Sequence, residues 1–364
     1  MKHGGASLMT TGTVAPMAPA WVVRLVMGLS DQAVAWVTEA IYREYATLLS
    51  PLGTRGRMQT RQDIFYHLEF LAGSLSTGQA DFFQDYVRWA AEVLRSRGVP
   101  VGTLSSSLSY LARFFADRLD PAARQPVAKL LAMGLDALQE QPGEGGSDFA
   151  SRILPAALPQ AGDVTRHLLE GDIGATRALV RQAQAEGAGY LQIATGLFQP
   201  ALYSVGRMWQ RNEITVAQEH LATAMAQTLL TQVFVRSEFA QPTRRKALFA
   251  CVAGNFHGLG LRIVCDGFEL RGWSVQFLGA NVPSDALVLQ VDQWRPEQVC
   301  LSASLVQQLP ELRRVISEIR SEMGANRPSI VVGGLATNQV DKIWSWVGAD
   351  EWSPDAQTAL TTGG

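Results

Sequence analysis

The stretch Ala247-Leu248-Phe249-Ala250-Cys251-Val252-Ala253, followed at once by Gly254-Asn255-Phe256-His257-Gly258-Leu259-Gly260, decides the fold of the C-terminal part of the chain. An unbroken apolar run without alternation is the mark of a strand covered on both faces, as in a parallel sheet. The glycines end that strand, and a helical pattern takes over at 259–271. The alternation then repeats, with extended segments at 274–278, 299–302 and 330–332, helices at 284–294 and 309–323, and a short fifth strand near 350–352. Strands alternating with helices predict a doubly wound parallel sheet over 243–364. Ligands of such sheets bind outside the carboxyl ends of the strands, so a ligand is expected at the loop that carries His257. Gly258 and Gly260 let a bulky partner approach the backbone and permit unusual φ values.

Upstream, apolar residues recur at three- and four-residue spacing. Residues 163–239 give four helical patterns at 163–170, 172–186, 188–208 and 214–239, with Thr215 near the N-cap of the last. Short connections between them favour a four-helix bundle, placed at 148–241. The polar, glycine-rich run Gln141-Pro142-Gly143-Glu144-Gly145-Gly146-Ser147 reads as a linker. Before it, residues 20–140 read as a helical domain with helices at 21–29, 33–49, 64–72, 81–95, 104–119 and 122–139. Five of the seven tyrosines lie here, at 42, 45, 66, 86 and 110.

Of the 364 residues 47% are hydrophobic and only 18% charged, which excludes disorder as the dominant state. With 31 Lys+Arg against 33 Asp+Glu, a net charge of −2 provides no footprint for non-specific nucleic-acid or anionic-membrane binding. The three cysteines, Cys251, Cys265 and Cys300, have no CxxC spacing and suggest neither a disulfide framework nor a thiolate zinc site. No apolar stretch reaches the length of a membrane span, and no signal-peptide core precedes Ala20. A cytoplasmic protein is expected.

Gly258-Leu259-Gly260 is not a GxGxxG fingerprint, and there is no GxxxxGK[ST] loop, GxSxG elbow or HExxH pair. The carboxylate pairs Glu318/Glu322 and Asp350/Glu351 read as solvated surface. No catalytic domain is recognisable, which points to a sensory or regulatory binding protein rather than an enzyme.

Asn255-x-His257-x-x-Gly260, then Ser302-Ala303-Ser304, then Gly333-Gly334, each at the end of an expected strand, resembles the cobalamin-binding Rossmann-like domain, a flavodoxin-like fold. Gly272-Trp273-Ser274-Val275 and Leu278-Gly279-Ala280-Asn281-Val282-Pro283 are similar to its second strand and following turn. The resemblance implies that His257 is the lower axial ligand to cobalt. Ser302, Ser304, Gly333 and Gly334 would then line a slot for the displaced nucleotide tail, with Asn255, Phe256, Gly258 and Gly260 around the ligand. A neutral imidazole suits a borderline transition metal, and its second nitrogen wants an oriented partner. The family commonly has a carboxylate at position 255. Asn255 can accept a hydrogen bond from the imidazole but not a proton, which disfavours methyl-transfer chemistry. Ser304 also stands where the family's pattern has leucine.

The 163–239 bundle looks like the cap that precedes such domains. Trp209, nine residues, then Glu219-His220 is similar to the signature of the light-sensing, adenosylcobalamin-binding subset. Without that resemblance, a core Trp and a surface Glu-His pair explain the residues as well. The resemblance implies that Trp209 covers the upper corrin face, that Glu219 contacts the adenosyl group, and that His220 becomes the upper cobalt ligand after light has broken the Co–C bond. The whole arrangement resembles the photocobilins, which also hold biliverdin. The aromatic N-terminal domain and His67 in Phe65-Tyr66-His67-Leu68 suit a bilin pocket, although for His67 taken alone a core histidine is the better explanation. With every cysteine beyond residue 250, a bilin there would be held non-covalently. The expected assembly is a homo-oligomer, a dimer or larger, that responds to light, with no nucleic-acid domain, no membrane contact and an unidentified output partner. The competing expectation is a corrinoid methyl carrier that partners a methyltransferase.

Overall fold

The computed structural model describes residues 18–139, 157–340 and 342–362. The expected linker at 141–147 lies outside the described residues. The chain divides into two compact units, residues 1–147 and 148–364.

The first unit is helical: Ala20–Gly28, Ser30–Glu44, Ala46–Leu49, Gly53–Thr77, Ala80–Ser96, Gly102–Arg118 and Pro121–Ala137. The helix expected at 33–49 breaks at Tyr45, whose φ of −110° and ψ of 33° leave the helical region. The one expected at 64–72 extends over Gly53–Thr77, because the polar turns at 53–63, with Arg, Met and Gln among their residues, carry no apolar period to register. Asp120 caps the last helix, accepting from the Ala122 and Ala123 amides at 2.9 Å each. Phe83, Phe114, Phe115, Leu68, Leu71 and Leu108 fill the core.

In the second unit a four-helix cap comprises Ala161–Glu170, Ile173–Ala185, Tyr190–Gln210 and Val216–Phe234. Its third helix carries a π-helical turn at Ala194–Phe198. Thr215 caps the fourth in a capping box with Gln218. That helix stops at Phe234, not 239, where the pattern ran on into an extended connection.

Five parallel strands follow, β1 Lys246–Val252, β2 Ser274–Val282, β3 Gln298–Ser302, β4 Ser329–Gly333 and β5 Glu351–Trp352, in the order β2-β1-β3-β4-β5. Every residue of β3, and all of β1 after Lys246, is buried, so helices cover both faces as the unbroken apolar runs require. β2 continues past the expected end at 278 through two register shifts against β1, one between Phe277 and Gly279 and one between Gly279 and Val282, with Gly279 and Asn281 at positive φ. Order reverses between β1 and β3, which makes their carboxyl ends the switch point of the sheet. Asp350 is not simply solvated surface: it binds Arg320 at 2.8 Å, Arg327 at 2.7 Å and the Ile330 amide at 2.9 Å.

The cap sits on the helix Leu259–Leu270, whose Ile263 joins the cap core. Asp266 on this helix is buried, accepts a hydrogen bond from the Tyr190 hydroxyl of the cap, and pairs with Arg262 at 2.6 Å. The Arg262 guanidinium lies over the rings of Phe234 in the cap, at 5.7 Å, and Phe277 in β2, at 5.3 Å. Burial pushes the Asp266 carboxyl up, and the bonds from Tyr190 and Arg262 oppose that shift.

Candidate functional site

The loops after β1, β3 and β4 meet at the switch point and bring together Asn255, Phe256, His257, Gly258, Ser302, Ser304, Gly333 and Gly334. Asn255 is fully buried and works as an organiser. Its Nδ2 donates to the Ser302 carbonyl at 2.9 Å, and its Oδ1 accepts from the His257 amide at 3.1 Å. The bond expected from the His257 imidazole to Asn255 is not present; Asn255 Oδ1 accepts from the main-chain amide of His257 instead. The structure also shows why an amide serves at this position. A carboxylate could accept from the His257 amide but could not donate to the Ser302 carbonyl.

The His257 side chain is exposed, and among the described residues its imidazole makes no hydrogen bond or ion pair. An unpartnered imidazole at the mouth of the sheet suits it to bind a metal centre. Phe256 beside it is 72% exposed, so the rim offers an apolar ring as well. Gly258 has a φ of −84°, so the unusual φ expected of these glycines belongs instead to Gly254, at +80°. What Gly260 provides is space, since a Cβ there would meet nothing.

Gly334 forms a tighter cradle. Its φ of +97° and ψ of 166° are open only to glycine, and a Cβ would stand 2.4 Å from the Ala303 carbonyl and 2.8 Å from the Ser302 hydroxyl. The backbones after β3 and β4 thus press together beside a small-residue floor of Ser302 and Gly333. Ser304 is half-buried at its edge. Under the loop, burial pushes the Cys251 thiol up to about 11, so it stays protonated and offers no competing thiolate. Among the described residues no three His, Cys, Asp or Glu side chains cluster as a protein-only metal site.

Two organisers escaped the sequence. Asn281, at the end of β2, accepts the Gly254 amide on its Oδ1 at 2.7 Å, and buried Gln308 donates to the Gly254 carbonyl at 2.9 Å. Asn281 lay inside a quoted stretch but showed its role only through a positive φ. Gln308 gave no signal, being a polar residue in an unremarkable loop.

On the cap, Trp209 is half-buried against the cap core. Glu219 and His220 cooperate although adjacent helical residues need not: His220 Nδ1 lies 2.5 Å from Glu219 Oε2, and Thr223 donates to Glu219 Oε1 at 3.2 Å. The His220 side chain is 75% exposed, with Nε2 uncommitted. Holding Nδ1 against a carboxylate fixes the ring and makes Nε2 the better donor. The helix bearing this pair ends at Phe234, which touches Arg262 of the sheet domain.

In the first unit, His67 is buried, with Nδ1 2.7 Å from the Tyr86 hydroxyl, and Tyr86 stacks on Phe70 at 3.9 Å. Its ring belongs to the core. A separate cleft of about 440 Å³ is lined by Trp36, Ala40, Arg43, Glu44, Tyr110 and Arg113. No helix among the described residues is long and apolar enough to cross a membrane.

Comparison with known proteins converges on these same segments. Residues 245–361 match a family described as "B12 binding domain", and residues 161–233 match a second family of the same description. The chain is 35% identical over 127 residues to the HTH-type transcriptional repressor CarA of Myxococcus xanthus, a match covering 35% of this chain and 43% of that protein. It is 28% identical over 137 residues to the repressor CarH of the same organism, covering 38% and 45%. It is 23% identical over 188 residues to the trimethylamine corrinoid protein of Methanosarcina barkeri, covering 50% and 84%. The chain spans less than half the length of the two repressors it matches.

Proposed function

We propose that this chain, a cobalamin-binding protein with a helical cap and a Rossmann-like domain, is a light sensor that holds adenosylcobalamin between His257 below and Trp209, Glu219 and His220 above. The observation that carries the proposal is a pair of imidazoles, each with a nitrogen to spare: His257 unpartnered on the sheet, and His220 on the cap, fixed through Nδ1 by Glu219. Adenosylcobalamin supplies a cobalt–carbon bond that visible light breaks. The chain's own residues do the rest. His257 ligates from the β1 loop, and Ser302, Ser304, Gly333 and Gly334 accept the tail between the β3 and β4 loops. Trp209 would shield the cofactor from the cap side, Glu219 holds the His220 ring by Nδ1, and His220 would offer Nε2 as a cobalt ligand after illumination. A ligand on the cap helix pulls on a segment packed against the sheet domain, and signalling follows as a change in homo-oligomeric assembly.

The test is spectroscopic. Protein loaded with adenosylcobalamin in the dark is illuminated with green light, and His220→Ala is treated in parallel. The sensor assignment predicts a changed spectrum in the wild type and a different photoproduct in the variant. An unchanged alkyl-cobalt spectrum, with variant and wild type alike, refutes it. Light scattering on the dark and lit protein reads the assembly.

A corrinoid methyl carrier is supported by the trimethylamine corrinoid protein, most of whose length is matched. Asn255 weighs against it, since the amide cannot take up a proton as His257 binds or leaves the metal. For the N-terminal unit the proposal includes non-covalent biliverdin. Engagement of His67 by Tyr86 moves the candidate pocket to the cleft at Trp36, whose aromatic walls suit a conjugated ligand and whose Arg43 and Arg113 suit its carboxylates. A red-absorbing band retained through gel filtration supports it. Without that band the unit is an interaction module.

A further inference from the structure

Three side-chain amides tie the loops at the switch point together, each bridging two strand ends. Asn255 joins the β1 loop to the end of β3 through Ser302. Asn281 joins the end of β2 to the β1 loop twice, by its side chain on the Gly254 amide at 2.7 Å and by its own amide on the Asn255 carbonyl at 2.9 Å. Gln308 is the third and spans the widest gap. Its Nε2 donates to the Gly254 carbonyl at 2.9 Å, and its Oε1 accepts the Ser304 amide at 2.8 Å and the Leu305 amide at 3.0 Å. Gln308 is 4% exposed, so its own amide has little water to fall back on.

We propose that Gln308 and Asn281 are positioning residues for the cobalt ligand, an uncharged clasp that sets the His257 loop and the Ser302–Ser304 rim in their binding geometry before cobalamin arrives. This rests on the assignment of His257 as lower ligand. The His257 imidazole has no side-chain partner to orient it, so its placement depends on its backbone. That backbone is held at Gly254 by Asn281 and Gln308 and at the His257 amide by Asn255. The chemistry of the clasp is specific. Gln308 must donate and accept at once, which only an amide does here, whereas Asn281 uses its side chain only as an acceptor at this loop and sits at a φ of +53° that Asp also tolerates.

The prediction is therefore a pattern. Gln308→Glu keeps an acceptor for Ser304 and Leu305 but loses the donor to Gly254, Gln308→Leu loses both, and Asn281→Asp keeps what Asn281 does. In titrations of the full chain with hydroxocobalamin, Gln308→Glu and Gln308→Leu weaken binding by roughly 10–100-fold, the range for residues that orient a metal ligand, with loss of the His-ligated spectrum, while Asn281→Asp matches wild type. Hydrogen exchange on the cobalamin-free protein gives a second readout. The Ser304 and Leu305 amides exchange about tenfold or more faster in Gln308→Leu and stay protected in Gln308→Glu, and the Gly254 amide is released in Asn281→Ala. Wild-type affinity and spectrum in both Gln308 variants, or unchanged exchange at these amides, overturns the proposal. His257→Ala in the same titration tests the ligand assignment alone: if it binds as wild type does, that assignment fails, and the exchange of the cobalamin-free variants still decides whether the clasp holds the loop.

Discussion

His67 makes the N-terminal unit acid-labile, and the size of the effect follows from its burial. Desolvation lowers its pKa from 6.5 to about 4. The unfolded chain takes up a proton as pH falls through 6.5, whereas the folded unit declines it until pH is near 4. Stability is thus lost as pH falls across that window and is constant above it. The full loss is on the order of 3 kcal/mol, and at pH 5 it has reached about 2 kcal/mol, roughly a thirtyfold change in the opening equilibrium. Nearby groups oppose it. Burial pushes the Asp63 and Glu69 carboxyls up, and a carboxyl with a raised folded pKa favours the folded state as it protonates. The contribution of His67 is therefore read as a difference, with His67→Gln, which can still accept from the Tyr86 hydroxyl, as reference. Hydrogen exchange of the helices Gly53–Thr77 and Ala80–Ser96, corrected for intrinsic rates, is compared at pH 7 and pH 5. Wild type is expected to lose about twentyfold more protection than the variant, because the unfolded histidine is already partly protonated at pH 7. Equal pH dependence in both proteins would show that His67 titrates in contact with solvent, and the buried-core argument would fall.

Gly334→Ala should destabilise the second unit by about 2–5 kcal/mol, combining a glycine-only backbone conformation with the overlap at Ala303 and Ser302. It should also abolish cobalamin retention on a desalting column, and retention with an unshifted urea midpoint would contradict the cradle. Tyr190→Phe removes the hydroxyl that bonds buried Asp266 and should cost about 1.5–3 kcal/mol in urea denaturation. A loss under about 0.5 kcal/mol would mean that Arg262 alone satisfies the carboxylate.

The sheet was legible because burial on both faces leaves an unmistakable trace, the unbroken run at 247–253, and because Gly-rich turns mark each carboxyl end. The second strand ran longer than expected because bulges at Gly279 and Asn281 disguise extended backbone as a turn. Among site residues, His257, Ser302 and Gly334 stand at strand ends, where topology alone makes them conspicuous. Gln308 could not be found that way, because its role lies in bonds to carbonyl and amide groups remote in sequence, and backbone groups have no letters. The same blindness explains Asn255, which was expected to face the imidazole and instead spends its oxygen on the main chain. His67 was ambiguous for the opposite reason: a buried neutral histidine and a ligand-facing one are written alike, and only the Tyr86 bond separates them.

The helix Leu259–Leu270 has a consequence beyond packing. It begins two residues after His257, and at Asp266, some 10 Å along its axis at the rise of an α-helix, it is pinned to the cap through Tyr190. A helix resists bending far more than a loop does, so the His257 loop and the cap are the two ends of a lever, mechanically in series. The cap cannot swing freely over the sheet: it must either break its pin or carry the loop with it. Removing the Tyr190 hydroxyl or the Asp266 carboxylate takes out the pin and uncouples the two ends.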